Sequence, residues 1–210
     1  MNGTLLYRAK GTLEGPSAPP HSFQHADLFY YFRPGAKDLV QAILAHPRAR
    51  LAFYTSMRGS NALPAAQYLL PEGSMESEVY DRPFNVRDPM GKNEWDTMRD
   101  LDRVWSESGR VGSGFGPEDT LMVDDSPQKL RHMPDNALIV PEYNEARIYL
   151  ETHSRDGERD GGDGAASMAD LQCLYHVKDY LSRLLDECEG DVRVYTVERP
   201  LALDIPPREP

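Results

Sequence analysis

TLMVDDSP, residues 120–127, sets an apolar run directly before two adjacent acids, Asp124 and Asp125. A short apolar run bounded by turn and charge signals reads as a strand buried on both faces, and such strands belong to parallel sheets covered by helices. Ligands of open α/β sheets bind in the crevice outside the carboxyl ends of the strands, so this acid pair falls where a site would lie. Adjacent carboxylates facing one site repel each other, and a hard cation with oxygen ligands, such as Mg²⁺, commonly holds them. The same letters also read as a helix start, with Asp125 or Ser126 as N-cap and Pro127 in the first helical position.

Working outward, RLAFYTS (50–56) repeats the pattern of a short buried strand and leaves Thr55 and Ser56 at its end. A hydroxyl and the following backbone N–H groups there could hold a phosphate oxygen, or serve as an ordinary strand-terminal cap. LFYYFRPG (28–35) predicts a strand by its aromatic run, ended by Pro34. AKDLVQAILAHP (36–47) sets Leu39, Val40, Ile43 and Leu44 on one helical face, and NALPAAQYLLP (61–71) predicts a helix with proline in its first turn. Residues 72–92 read as irregular, EWDTMRDLDRVWSES (94–108) as a helix carrying Trp95, Met98, Leu101, Val104 and Trp105, and NALIVPEY (136–143) as a strand. The order β-α-β-α-loop-α-β-β predicts an α/β fold, a parallel sheet flanked by helices.

GTLEGPSAPPHSFQ (11–24) and GRVGSGFGPED (109–119) read as loops, and RDGERDGGDGAAS (155–167) is a charged glycine stretch whose composition predicts disorder. DLQCLYHVKDYLSRLLDECEG (170–190) is an amphipathic helix, followed by DVRVYTVERP as a partly extended tail. The expected organisation is one domain over 1–150, a flexible acidic Gly-rich loop over 151–168, and a C-terminal helix and tail over 169–210 packing on the same domain.

The 34 acidic against 23 basic residues give a net charge of −11, which opposes nonspecific attraction to nucleic acid or anionic lipid. A nucleic-acid partner and membrane insertion are therefore not expected, since no apolar run approaches the roughly 20 residues a membrane span needs. A soluble intracellular protein of undefined compartment is expected, with a protein or phosphoprotein partner. Cys173 and Cys188 suit reduced packing residues rather than a disulfide framework. His21 and His25, in a Pro-rich loop with no acid cluster beside them, read as solvent-exposed rather than as metal ligands.

Taken in order, NGTLL (2–6), FYYFRPGAKDLVQAI (29–43), LAFYTS (51–56), MRDLDRVW (98–105) and TLMVDDSP resemble the haloacid dehalogenase (HAD) superfamily, and within it the CTD-phosphatase-like or NLI-interacting-factor-like branch. That branch shows an Asp-x-Asp-Gly-Thr-Leu corner, an Arg-Pro-Gly opening a helix, a strand ending in Phe-Thr-Ala/Ser, a Lys-Asp-Leu helix and a Val-Asp-Asp-Ser-Pro corner. Five motifs in order cover most of residues 2–143. The resemblance implies a HAD-like (Rossmann-like) parallel sheet and Mg²⁺-dependent phosphomonoester hydrolysis on phosphoserine or phosphothreonine.

Carried over residue by residue, the resemblance assigns Asn2 to the acid/base position of the first corner and Thr4 to its threonine. The nucleophilic Asp would fall one residue before Met1. An amide cannot give and recover a proton as a carboxyl does, so the first motif is degenerate or truncated. Thr55 matches the phosphate-binding hydroxyl with Ser56 beside it, Asp124 and Asp125 match the metal-binding acids, and Arg99 stands where the family usually has Lys, with Lys92 as rival. Arg33 is expected to tie helix to loop.

The family's first strand would lie at the centre of the sheet, ahead of the NGTLL corner. Three readings stay open: a start further upstream, a shifted strand at TLLYR (4–8), or a strand supplied by a partner through β-augmentation. The functional expectation is a pseudophosphatase or a phosphate- and protein-binding module with a weakened Mg²⁺ site. The alternative is a Mg²⁺-dependent protein Ser/Thr phosphatase completed by residues ahead of Met1.

Overall fold

Three strands near the N-terminus build an antiparallel layer whose buried residues are Leu6, Phe23, Tyr30 and Tyr31. In the computed structural model β1 (Leu6–Ala9), β2 (Phe23–His25) and β3 (Leu28–Phe32) pair in the order β1-β3-β2, with Leu6 opposite Phe32 and Phe23 opposite Tyr30. The structure describes residues 1–15, 18–74, 78–107, 109–110, 112–155 and 164–203, the side chains of 151, 153–155 and 164–171 excepted. Phe23 stacks on Tyr30 at 4.3 Å between ring centroids and on Tyr68 at 4.1 Å.

Next come α1 (Ala36–Ala45), β4 (Ala52–Tyr54), α2 (Gly59–Leu69) and β5 (Glu78–Tyr80), with β4 and β5 parallel. Gly35 opens α1 at φ +79°, and a Cβ there would lie 3.3 Å from Leu174. Arg-Pro-Gly thus both turns the chain and lets a later helix approach. Ala62, Ala65, Ala66 and Leu69 make the buried face of α2 at helical spacing. A short antiparallel pair, β6 (Val86–Arg87) and β7 (Thr97–Met98), precedes α3 (Leu101–Ser106). Then β8 (Met122–Asp124) and β9 (Ala137–Ile139) pair in parallel, followed by α4 (Glu145–Arg155), α5 (Gly164–Glu187) and α6 (Val192–Glu198).

The architecture is mixed helices and strands with two parallel strand pairs, compatible with α/β. The single parallel sheet expected from the sequence is replaced among the described residues by four separate small sheets. LFYYF joins an antiparallel layer because the strand near TLLYR forms over Leu6–Ala9, with Thr4 and Leu5 in a turn, and runs back against β3. Consecutive strand residues still divide between opposite faces: Phe53 packs in the core with Leu39, Val40 and Leu174, while Tyr54 packs in a second core with Tyr80, Leu101, Val104 and Met122. Leu138, Tyr180, Leu184 and Cys188 form a third.

Other local expectations change too. The helix read over 94–108 begins only at Leu101, because Met98 pairs with Val86 and the Arg99 N–H donates to Lys129 O at 3.0 Å. Asp100 caps it, accepting from Arg103 N at 3.1 Å, and Trp95 stays exposed. Pro64 lies inside α2 rather than in its first turn. Residues 72–92, read as irregular, contain β5, β6 and a 3₁₀ turn at Arg82–Phe84. DVRVYTVERP is helical over Val192–Glu198, since Asp191 accepts from Arg193 N at 2.8 Å and β propensity yields to the cap. The 151–168 loop is helical up to Arg155 and again from Gly164, and 156–163 fall outside the described residues.

Cys173 and Cys188 are buried free thiols, and α5 packs along α1. No helix among the described residues is long and apolar enough to cross a membrane.

Candidate functional site

Strand β8 ends at Asp124, 1% exposed, and each of its carboxylate oxygens has a fixed partner. Oδ1 accepts from Ser126 N at 2.9 Å, the turn bond expected of an Asx residue at a strand end. Oδ2 accepts twice from one guanidinium, Arg99 Nε at 3.0 Å and Nη2 at 2.8 Å. Arg99 is 3% exposed, and its Nη1 donates to Ser56 Oγ at 3.0 Å and Asn85 Oδ1 at 2.8 Å. Its charged plane also sits 5.1 Å from the Tyr54 ring centroid.

Asn85 connects this cluster to β4 by donating to Thr55 O at 3.0 Å. The Thr55 hydroxyl oxygen accepts from Met57 N at 3.2 Å and is buried. Tyr54 donates its hydroxyl to Phe84 O at 2.6 Å and accepts from Asp100 N at 3.1 Å. Burial pushes its pKa up to about 12.

Asp125 serves the N-terminal corner. It accepts from the Thr4 hydroxyl at 2.7 Å and from the Ser126 hydroxyl at 3.2 Å, and it lies against Gly3, whose φ is +85°. Tyr143 N closes the corner by donating to Gly3 O at 2.5 Å. Arg33 Nη1 donates to Thr4 O at 3.3 Å and to Pro141 O at 2.8 Å, joining the start of α1 to both loops as the sequence predicts.

Two basic groups complete the electrostatics. The Met1 ammonium donates to Tyr54 O at 3.4 Å, and its pKa falls to about 6. Burial is the main cause, with Arg99 and Lys129 reinforcing it and Asp124 and Asp125 opposing it. Lys129, on the 3₁₀ turn Pro127–Leu130, has its pKa lowered by burial first and Arg99 second, against the pull of Asp124, Asp125 and Glu142.

Thr4, Thr55, Ser56, Arg99, Asp124 and Asp125 thus converge at the carboxyl ends of β4 and β8. Asn2 sits on the exposed side of its corner. Lys92 is exposed in the β6–β7 loop, so Arg99 is the cation that meets Asp124. His21 is exposed, and no metal-holding group of three or more His, Cys, Asp or Glu occurs among the described residues.

Sequence reasoning missed Asn85, Lys129 and the Met1 amine. Lys129 had a legible signal, a base one short turn beyond Asp-Asp-Ser-Pro, whereas Asn85 had none because it lies in a stretch without periodicity.

Mg²⁺ takes near-octahedral oxygen coordination and dehydrates reluctantly. Here the inward oxygen of Asp124 is covered by Arg99, both Asp125 oxygens are hydrogen-bonded, and bases match or outnumber acids at the corner. These residues in this arrangement do not fit Mg²⁺. The local charge suits an oxyanion better than a cation.

The sequence profile of the NLI interacting factor-like phosphatase family matches residues 1–154. No curated protein matches the chain.

Proposed function

Because the chain belongs to the NLI interacting factor-like phosphatase family, we propose that it is a member that recognises phosphate on a protein partner without hydrolysing it, a pseudophosphatase. The observation that carries this reading is the buried pair of Arg99 and Asp124. A phosphatase working through a covalent intermediate needs one free carboxylate as nucleophile and another group to move a proton. The Asn2 amide cannot move a proton as a carboxyl does, and Asp124 and Asp125 are engaged by Arg99, Thr4 and Ser126. The Ser56 hydroxyl and the Lys129 ammonium support an anion site. The acidic chain as a whole favours a basic phosphopeptide over nucleic acid.

Hydrolysis of a generic aryl phosphate with Mg²⁺, run beside phosphate titration of the amide resonances, tests the reading. The expected outcome is no turnover above the buffer rate, with shifts at Thr55, Ser56 and Lys129. Turnover that requires Mg²⁺ and is lost in Asp124→Asn overturns it. That result would establish the second reading, a Mg²⁺-dependent protein Ser/Thr phosphatase, which family membership favours because the family is generally Mg²⁺-dependent.

A further inference from the structure

Met90 and Trp95 stand at the tip of the β6–β7 hairpin, 79% and 74% exposed, and neither joins a core. The Trp95 ring has no aromatic or cationic partner among the described residues. We propose that this tip is a second subsite of the phosphate corner, where the Trp95 ring and the carboxylates of Glu94 and Asp96 receive an arginine or lysine side chain close to the phosphorylated residue. The subsite presupposes that the corner binds phosphate, whether or not phosphate is hydrolysed there.

The tip is braced from within. Asp88 N donates to Asp96 O at 2.9 Å, which carries the ladder one pair beyond Arg87 and Thr97. Asp88 Oδ1 accepts from Met90 N at 2.8 Å, and Asp96 Oδ2 accepts from Asn93 N at 2.9 Å. Gly91 suits the turn because a Cβ there would run into Asp96. One exposed apolar residue needs no explanation, but two large ones on a fixed turn are of the kind that anchors a partner, and tryptophan above all. Their ordering is already complete, so a ligand does not bear that cost.

Both strands of the hairpin are also tied to the phosphate corner. β7 runs into Arg99, whose guanidinium meets Ser56 and Asp124 and whose backbone N–H donates to Lys129 O at 3.0 Å. On the other strand Asp88 accepts from both terminal nitrogens of Arg131, two residues beyond Lys129. Trp95 lies four residues before Arg99, so their Cα atoms are within about 14 Å of each other. An extended peptide covers that distance with about three residues and an arginine side chain.

Charge selects the occupant. Asp88 is neutralised by Arg131, whereas among the described residues Asp96 is held by neutral N–H donors and Glu94 has no ion pair. Lys92 is the only base from Asp88 to Asp96. A cation against the indole gains from the ring face and from both carboxylates together, while an acidic side chain would be repelled. Arginine fits best, because its planar group stacks on the ring and still donates at its edge.

The test compares four peptides by calorimetry without Mg²⁺: acetyl-Arg-Gly-Gly-phosphoSer-Gly-Gly-Gly-amide, acetyl-Gly-Gly-Gly-phosphoSer-Gly-Gly-Arg-amide, and the same pair with glutamine for arginine. One of the arginine peptides should bind about fivefold or more tightly than its glutamine partner, with a shift of the Trp95 indole N–H resonance. In Trp95→Ala that ratio should fall to about one, and Trp95→Phe should keep part of it. Equal affinities in both pairs, or a preference for arginine that survives in Trp95→Ala, would overturn the proposal. If the Ser56 and Lys129 amides still shift in that case, the phosphate site itself stands. No shift at Ser56 and Lys129 with any of the four would remove the phosphate site and this subsite with it.

Discussion

Replacing Asp124 with asparagine isolates one interaction with little change of shape. The asparagine Oδ1 keeps its bond from Ser126 N, while an amide NH2 replaces Oδ2, so both bonds from Arg99 lose their acceptor along with the charge. The side chains of Arg99 and Asp124 are only 4% and 2% exposed, so the abandoned guanidinium cannot turn to water. Breaking a buried pair by removing one partner costs about 3–5 kcal/mol, because the remaining charge is left uncompensated. Ser56 Oγ and Asn85 Oδ1 still accept from Nη1, which argues for the lower half of that range. At about 2–4 °C per kcal/mol for a domain of this size, Tm should fall by roughly 6–16 °C.

Chemical denaturation of Asp124→Asn, Arg99→Gln and the double variant forms a cycle, with an expected coupling of about 2 kcal/mol or more. Mg²⁺ at about 10 mM should leave the parent Tm unmoved, since an ion that does not bind the native state gives no linkage. A loss under about 1 kcal/mol in Asp124→Asn, together with a Mg²⁺-dependent rise in the parent Tm, would refute the reasoning. Asp124 would then be held for a cation, with Arg99 a bystander.

Three further outcomes follow from the same geometry. Gly3→Ala should destabilise by about 2 kcal/mol or more by denaturant titration, since φ is +85° and a Cβ would overlap the Asp125 carboxylate. An unchanged midpoint would mean that the corner is loose. Asn85→Ala should cost about 1–3 kcal/mol, by leaving Thr55 O and one Arg99 donor without their partner, and should broaden the Thr55 and Ser56 resonances. For the Met1 amine, the folded pKa of about 6 lies below the ordinary 8.0, so the unfolded state binds the proton more tightly. Stability should therefore rise by about 2 kcal/mol from pH 6 to pH 8 and level off by about pH 9, a rise absent from an N-acetylated chain. Identical pH slopes for the two would show the amine to be solvated.

The sequence carried those parts of the fold whose causes are local. Asp124 was legible because a buried strand must end somewhere, and adjacent acids at that end have few cheap explanations. Arg-Pro-Gly was legible because Pro34 stops a strand and Gly35 takes a positive φ. Helix boundaries were less so: the spacing of Trp95, Met98 and Leu101 is helical, yet Met98 pairs with β6 and Asp100 sets the true start. Periodicity reports which side chains want burial, and a two-residue strand can satisfy Met98 as well as a helix turn can. The antiparallel placement of LFYYF was not legible, since aromatic strands suit either sheet type and the choice rests with where residues 6–9 run.

The arrangement of the site depends on a further fact that no local pattern contains. Asp124 and Arg99 were both singled out from sequence, one as a metal ligand and one as a phosphate binder, yet they spend their charges on each other. A lysine at position 99 would offer three donors around one point and could not make the side-by-side pair to Oδ2 while also reaching Ser56 and Asn85. The guanidinium spans all three partners and closes the corner to a cation. Arg99→Lys should therefore loosen the Asn85 contact and re-expose part of Asp124, so that Mg²⁺ begins to raise Tm where it does not in the parent. A variant still indifferent to Mg²⁺ would show that the bases Lys129 and Met1, not the guanidinium fork, keep cations out.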